Sequence, residues 1–431
     1  MMEKFITQSK DCLFSVFILL FSTFICKGQE IEKDTTKSYK KEIKKYEGLQ
    51  LKINEDWKIK FSGQINAYYV NTAQKKDLEH GVKKETFHSL RNGISQATLS
   101  FVPVHTLKDG TTITGTFGLA FGLSNSGIDS TLPQTRGFGF APVEIRQASI
   151  RISTPKAGSL LIGRDFGLFG LDAIYYDLSI FGIGANYSYN TPKNTTLAGV
   201  GYGYIFVDKM AQLDYTTPAI FGKTSTFTLG VYDPFGTFDI YGAYGSAFSW
   251  THNPNTLGIH GKFTFDKAFK KINIHFSSSF ISQEIASSVE DSALKGLGID
   301  TYLKLVFKGL TLSGYYYNAD GIGDAGIMFG PVIKVGTEIK KIKSQGFYVQ
   351  WTYAIPKSRV TLGVNYGASK VKDQVIGNSL GYSDSATRLT NSITYTINSN
   401  LVLKSEYTIQ GRHKVFAPKA NIFSLGGFLI F

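Results

Sequence analysis

Trp57-Lys-Ile-Lys-Phe-Ser-Gly-Gln-Ile-Asn-Ala-Tyr-Tyr69 carries two different faces on its two parities. Odd positions hold Trp57, Ile59, Phe61, Gly63, Ile65, Ala67 and Tyr69, and even positions hold Lys58, Lys60, Ser62, Gln64, Asn66 and Tyr68. Successive side chains of a strand point to opposite sides, so this stretch makes a strand with one apolar and one wet face. The pattern returns at 111–122 (Ile113, Phe117, Leu119, Phe121), 256–265 (Leu257, Ile259, Phe263, Phe265) and 272–280 (Ile272, Ile274, Phe276, Phe280). It returns again at 346–354 (Phe347, Val349, Trp351, Tyr353) and 359–368 (Val360, Leu362, Val364, Tyr366). Many of these segments reach ten residues, whereas strands of a soluble sandwich are usually about five or six. No fixed repeat of roughly twenty to fifty residues is visible, which excludes a solenoid.

Short turns and longer polar loops alternate between the strands, as at the two ends of a membrane barrel. Requiring every long connection to fall on one side sets the count. With a strand at 196–206 in place, including the weakly patterned sixth strand at 179–189 keeps the long 234–255 connection on the outer side and gives about eighteen. Sixteen is the runner-up, because the strands near 93–103, 158–164 and 210–219 are poorly patterned. The expected fold is therefore all-β, a transmembrane antiparallel β-barrel over residues 57–431.

Composition agrees with that reading. In 431 residues, aromatics make up 14% and Gly numbers 45, a mixture that suits strands and turns better than helices. So many aromatics exclude a disordered chain. A mean hydropathy of −0.05 excludes a bundle of membrane helices but not a barrel, whose apolar outer and wet inner faces average out. The 46 Lys+Arg against 33 Asp+Glu leave +13, yet these charges are spread along strands and turns. That distribution argues against nucleic acid, which needs a basic patch on one face.

At the N-terminus, Lys4 and Lys10 precede an apolar run from Cys12 to Cys26, followed by Lys27-Gly28. A charged start, an apolar stretch of that length and small residues before a polar tail mark residues 1–28 as a signal peptide. A short N-terminal anchor is the alternative. Both cysteines lie in this leader, so the exported chain has no disulfide, thiol nucleophile or thiolate metal site to offer. Residues 29–56 balance seven Lys against seven acidic residues and read as a polar periplasmic segment.

The chain ends Asn421-Ile-Phe-Ser-Leu-Gly-Gly-Phe-Leu-Ile-Phe431, with Phe423, Leu425, Gly427, Leu429 and Phe431 on one face. This resembles the terminal strand of Gram-negative outer-membrane proteins, whose barrel assembly machinery reads such a signal; here it would be carried by Phe423, Leu425, Leu429 and Phe431. Gly163-Arg-Asp-Phe-Gly-Leu-Phe-Gly-Leu-Asp-Ala-Ile-Tyr-Tyr-Asp-Leu178 is similar to a segment of porins from the Bacteroidota, akin to the phosphate-selective porin group. The resemblance implies residence in the lipid of the bacterial outer membrane, a homotrimer of sixteen-stranded barrels, and passive diffusion of small hydrophilic or anionic solutes. It also implies that 165–178 is the loop after the fifth strand, folding inward as a constriction with Asp165, Phe166, Phe169, Asp172 and Tyr175. The residues agree in part: Phe166, Leu168, Phe169, Leu171, Ile174 and Tyr175 are too apolar for an exposed loop. A loop lying on the rim or at a subunit contact would satisfy them too.

Alternation assigns Lys58, Lys60, Arg151, Lys262, Lys304, Arg388 and Lys404 to the lumen, against Asp214, Asp300 and Glu406. Arg164, at the foot of the loop, joins this pore-lining, anion-binding set, although Leu160-Leu-Ile162 breaks the pattern and leaves its face open. The excess of cations predicts a preference for anions, phosphate included. Lys193, Lys223, Lys267, Lys270, Lys271, Lys308, Lys357 and Arg359 fall in short turns and add charge outside the pathway. His260 and His275 face inward, and would stand opposite each other if Lys267-Ala268 were a two-residue turn.

Other motifs are set aside. Gly321-Ile-Gly-Asp-Ala-Gly326 fits G-x-G-x-x-G but no helix follows, so it reads as a flexible outer loop. Asp165-Phe166-Gly167 lacks the other kinase motifs, and no zincin pair or nucleophile elbow is present. No enzyme, metal or other cofactor is expected. The competing function is a barrel component of an uptake, secretion or adhesion complex.

Overall fold

A computed structural model describes residues 49–78, 81–123, 143–186, 195–236, 256–286, 293–335, 338–372, 385–412 and 417–431. Residues 1–28, expected to be a signal peptide, and most of the 29–56 segment lie outside them. Twenty strands follow in order: β1 (Leu49–Lys52), β2 (Trp57–Gln74), β3 (Glu85–Arg91), β4 (Ala97–Thr106), β5 (Thr112–Phe121), β6 (Val143–Thr154), β7 (Gly158–Phe166), β8 (Lys209–Thr216), β9 (Ser225–Tyr232) and β10 (Gly258–Ala268). The remainder are β11 (Asn273–Ala286), β12 (Ala293–Phe307), β13 (Leu310–Asp320), β14 (Val332–Val335), β15 (Glu338–Lys341), β16 (Lys343–Ala354), β17 (Val360–Val371), β18 (Ser385–Thr396), β19 (Leu401–Gln410) and β20 (Ala420–Ile430). One short helix, α1 (Leu171–Tyr175), lies between β7 and β8.

Neighbouring strands pair antiparallel all the way round, and β20 returns to β2, with Gln64 opposite Ile430 and Gln74 opposite Ala420. The sheet is thus a closed barrel, which leaves no edge along its walls. Its staves number sixteen, the runner-up of the two expected counts. β3 and β4 form one stave, since β2 pairs with β3 in its upper half and with β4 in its lower half. The short β1 and the β14–β15 hairpin lie outside the sixteen. Of the two further strands expected at 179–189 and 196–206, the described residues, 179–186 and 196–206, are not in the wall. Where described, these residues are packed inside the barrel, and their partial alternation comes from lying between the lumen wall and a second inward segment.

Parity sorts the wall as the sequence implies. Along β12, Leu297, Ile299 and Leu303 are exposed on the outside while Gly298, Asp300 and Tyr302 are buried toward the lumen. Exposed apolar side chains on strand after strand form the band that a bilayer requires. Gly63 of β2 has its missing side chain replaced by the terminal Phe431, whose ring would lie 2.7 Å from a Cβ there, while Gly63 N donates to the Phe431 carbonyl at 2.8 Å. Phe423, Leu425 and Leu429 lie on that same outer face, each about two-fifths exposed or more.

One irregularity matters inside. Between β3 and β4 the chain bulges at 92–96, and side chains replace the ladder: Asn66 Nδ2 donates to Ser95 O at 2.6 Å and Asn92 Nδ2 to Asn66 O at 2.9 Å. The bulge brings Gly93 so close to the Gly182 carbonyl that a Cβ would stand 2.2 Å from it.

Candidate functional site

The described parts of the segment between Phe166 and Lys209, residues 167–186 and 195–208, lie in the interior of the barrel. Strand β7 runs through Phe166, so Asp165 and Phe166, expected in the loop, are wall residues paired with Met210 and Lys209. Asp165 accepts from Gln147 Nε2 at 2.7 Å. The chain leaves the wall at Gly167 and turns into α1 at Gly170, whose φ of 76° suits glycine. Phe169, Ala173 and Ile174 are buried, and Tyr175 keeps a half-exposed face with its ring 5.6 Å from that of Phe166.

The wall binds this segment through its backbone. Asp300 Oδ2 accepts from Gly170 N at 2.6 Å, and Tyr348 OH donates to Ala173 O at 3.0 Å. Gln350 takes both polarities, accepting from Leu178 N at 2.7 Å and donating to Tyr176 O at 2.9 Å. Glu406 Oε2 accepts from both Ile183 N and Gly184 N at 2.8 Å, and Gln410 Oε1 accepts from Asn186 N at 2.8 Å. These partners sit on β12, β16 and β19, so the segment reaches across the lumen rather than along the rim. An irregular backbone without water needs such acceptors and donors, which a wet inner wall supplies.

Ion pairs add anchors. Arg388 Nη2 lies 3.0 Å from Asp177 Oδ2 and 2.7 Å from Asn365 Oδ1, with Arg388 and Asp177 both fully buried. Tyr204 OH donates to the same Asp177 oxygen at 2.9 Å. Lys262 Nζ meets Asp172 Oδ1 at 2.7 Å. Asp172 Oδ2 also accepts from Ser277 Oγ at 2.5 Å and lies 3.1 Å from His275 Nε2. Burial opposes ionisation of Asp172, but His275, Lys262 and Ser277 outweigh it and hold the carboxyl well below its usual range. Lys404 Nζ reaches the Leu178 carbonyl and lies 3.3 Å from Glu406 Oε1.

A second inward segment follows β13. Gly321-Ile-Gly-Asp-Ala-Gly326, read from sequence as a flexible outer loop, is buried, and so are Ile327, Met328 and Phe329. Phe206 N donates to Ala325 O at 2.7 Å, which ties the two segments together. Tyr202, Tyr204, Ile205, Phe206 and Val207 pack with this second segment and with wall residues Tyr315, Tyr317 and Tyr348 into one apolar cluster. The signal for it was present: Ile327-Met-Phe329 is as apolar as the 166–175 stretch and equally unfit for water.

The predicted lumen residues therefore separate. Lys58, Lys60, Arg151, Lys262, Lys304, Arg388 and Lys404 all share the inward parity of their strands. Arg164 does not. Its register partner Ala211 and its neighbour Ile162 point outward, and its Nε donates to Ile145 O at 3.3 Å, so it belongs to the outer face. The two histidines are not a pair either: His275 stands opposite Asp266 and His260 opposite Ile281. His260 Nε2 lies 2.8 Å from Asp214 Oδ1, and His275 Nδ1 lies 2.8 Å from Asp266 Oδ1. The hairpin turn is longer than two residues because β10 continues through Ala268 and β11 resumes at Asn273. What alternation could not reveal is the partner role of Asp300, Gln350, Glu406 and Asp177, which depends on where the inward segment lies.

The fold and this inward segment agree with what the chain matches. Similar solved structures include the outer membrane channel DcaP of Acinetobacter baumannii, at 14% identity and a TM-score of 0.63 over 88% of this chain and 99% of that one. An OmpF of Salmonella typhi is similar at 13% identity and TM-score 0.59, over 89% and 100% of the two chains. An anion-selective porin from Comamonas acidovorans is similar at 13% identity and TM-score 0.57, over 87% and 100%. No protein of curated function matches the chain in sequence. Fold and family point to a channel rather than an enzyme, and to the outer membrane. The sequence signature described as Gram-negative porin matches residues 50–410, most of the chain, and the protein accordingly belongs to the Gram-negative porin family.

Proposed function

We propose that this porin is a passive diffusion channel for small hydrophilic solutes with a preference for anions, phosphate among them, and that the inward segment is its constriction. The observation that carries the preference is the set of lumen-facing cations, Lys58, Lys60, Arg151 and Lys304, that have no carboxylate within 4 Å among the described residues. Unpaired charge on a wet wall attracts counter-ions and repels co-ions, whereas a paired charge does neither at a distance. The similar anion-selective porin from Comamonas acidovorans shares the fold with this chain, and the Gly163–Leu178 segment resembles phosphate-selective porins of the Bacteroidota. That resemblance also supports a homotrimer. The outward row Phe423, Leu425, Leu429 and Phe431 is the proposed signal to the barrel assembly machinery. Reversal potentials of the refolded protein in a planar bilayer under a potassium chloride gradient test the preference. A potential of the sign set by chloride is expected, with chloride current reduced by added phosphate. A sign set by potassium would overturn the preference.

A further inference from the structure

The lumen-facing cations divide by what the inward segment does to them. Lys262 and Arg388 pair with Asp172 and Asp177 of that segment at 2.7 and 3.0 Å, and Lys404 lies 3.3 Å from Glu406, which itself binds the segment's backbone. At the constriction, then, fixed charge is cancelled over contact distances. Lys58, Lys60, Arg151 and Lys304 are not cancelled in this way, and each lies within four residues of one of the short turns at 53–56, 155–157 and 308–309. Short turns mark the periplasmic end of such barrels. Lys304 holds its Nζ 3.4 Å from the centre of the Tyr176 ring, which follows α1 in the chain. The two carboxylates that act on it, Asp172 and Asp266, lie beyond 4 Å and are both bound by His275, at 3.1 and 2.8 Å. Water reaches this part of the lumen, since Ser62, on the inward parity of β2 beside Lys60, is exposed. The short turns below carry both signs, and on balance add charge of the same sign: Lys156, Lys223, Lys308 and Lys357 exceed Glu55, Asp56 and Asp109.

We propose that the periplasmic vestibule, and not the constriction, is the anion-accumulating site of this channel, its ligands being small inorganic and carboxylate anions. The inference rests on the anion-channel reading above and places it at one mouth. The field of exposed charge reaches about 10 Å at 0.1 M salt and about 3 Å at 1 M. A vestibule positive at one end thus selects strongly only when the dilute solution bathes that end.

Reversal potentials are measured with about 0.1 M potassium chloride on one side and about 1 M on the other, then with the gradient reversed. Orientation in the bilayer is fixed by a Ser358→Cys variant labelled from one side with a membrane-impermeant thiol reagent. Wild-type protein is expected to give a larger anion-directed potential when the dilute side is periplasmic. That difference is lost in the variant Lys58→Gln, Lys60→Gln, Arg151→Gln, Lys304→Gln. Equal anion-directed potentials in both orientations of the wild type would overturn the vestibule assignment alone. Cation-directed potentials in both would overturn the anion preference as well, and a protein that inserts without conducting would overturn the channel reading itself. Because the orientation comparison needs only wild-type wall residues, it decides even if the fourfold variant fails to fold.

Discussion

Strand β12 and the inward stretch 195–208 are of similar length and similarly mixed in polarity, yet they solve opposite problems. In β12, exposed Leu297, Ile299 and Leu303 alternate with buried Gly298, Asp300 and Tyr302, so one face meets lipid and the other the lumen. In 195–208, every residue is buried, from Thr195 at 3% exposure to Asp208 at 1%. The strand satisfies its backbone through its neighbours, and only its side chains choose a solvent. The inward stretch has no ladder of that kind: Ala198 N donates to Ile183 O at 3.2 Å, Phe206 N to Ala325 O at 2.7 Å, and Gly203 N to Ser369 Oγ of the wall at 2.9 Å. The comparison teaches that in this barrel the inner wall is wet in composition but acts, over much of its area, as the hydrogen-bonding lattice for a second layer.

The comparison breaks most severely at Arg388. Replacing Arg388 with Leu leaves Asp177 buried without its partner, and should cost about 3–5 kcal/mol. Urea unfolding followed by the loss of the compact electrophoretic form measures it, and the double variant Arg388→Leu with Asp177→Leu should recover much of the loss. On the lipid side, Ile299→Lys midway along β12 should cost about 2–4 kcal/mol in the same assay. A lysine at lumen-facing Thr116 should alter conductance while leaving the midpoint nearly unchanged.

Smaller effects sharpen the picture. Glu406→Gln weakens two charge-assisted bonds from Ile183 and Gly184, and should cost about 1.5–3 kcal/mol. Its measurable sign is increased open-channel noise as the segment loosens. The smallest effect is set by pH. Asp172 is held low by His275, Lys262 and Ser277 against the opposing influence of burial. Its contribution is therefore fully present above the unfolded carboxyl value of about 4 and is lost as pH falls through the lower folded value. Channel noise should rise only in strongly acid solution, and Asp172→Asn should abolish that rise.

The wall was legible in the sequence because a strand between lipid and water must alternate, and Trp57–Tyr69 or Gly346–Ala354 could hardly do otherwise. The stave count was less legible. Residues 179–186 and 196–206 read as strand segments without being wall, and alternation alone cannot tell a lipid-facing side chain from one that meets a second layer inside. Among the candidate residues, Lys262, Arg388 and Lys404 share the inward parity of their strands, but their partners on the inward segment were not foreseeable from period two. Arg164 was misassigned because Leu160-Leu-Ile162 is apolar on both parities, and only the pairing of β7 with β8 shows which side it takes. The inward turn at 321–329 was missed although its apolar content carried the same signal that marked 166–175.

The most direct test of the inward segment as the element that limits the pathway is unitary conductance in a planar bilayer, wild type against the double variant Arg388→Leu with Asp177→Leu. Removing the anchor without leaving a lone buried charge should loosen the segment from β18 and give a larger, noisier unitary current. An identical unitary current in a correctly folded double variant would contradict that role.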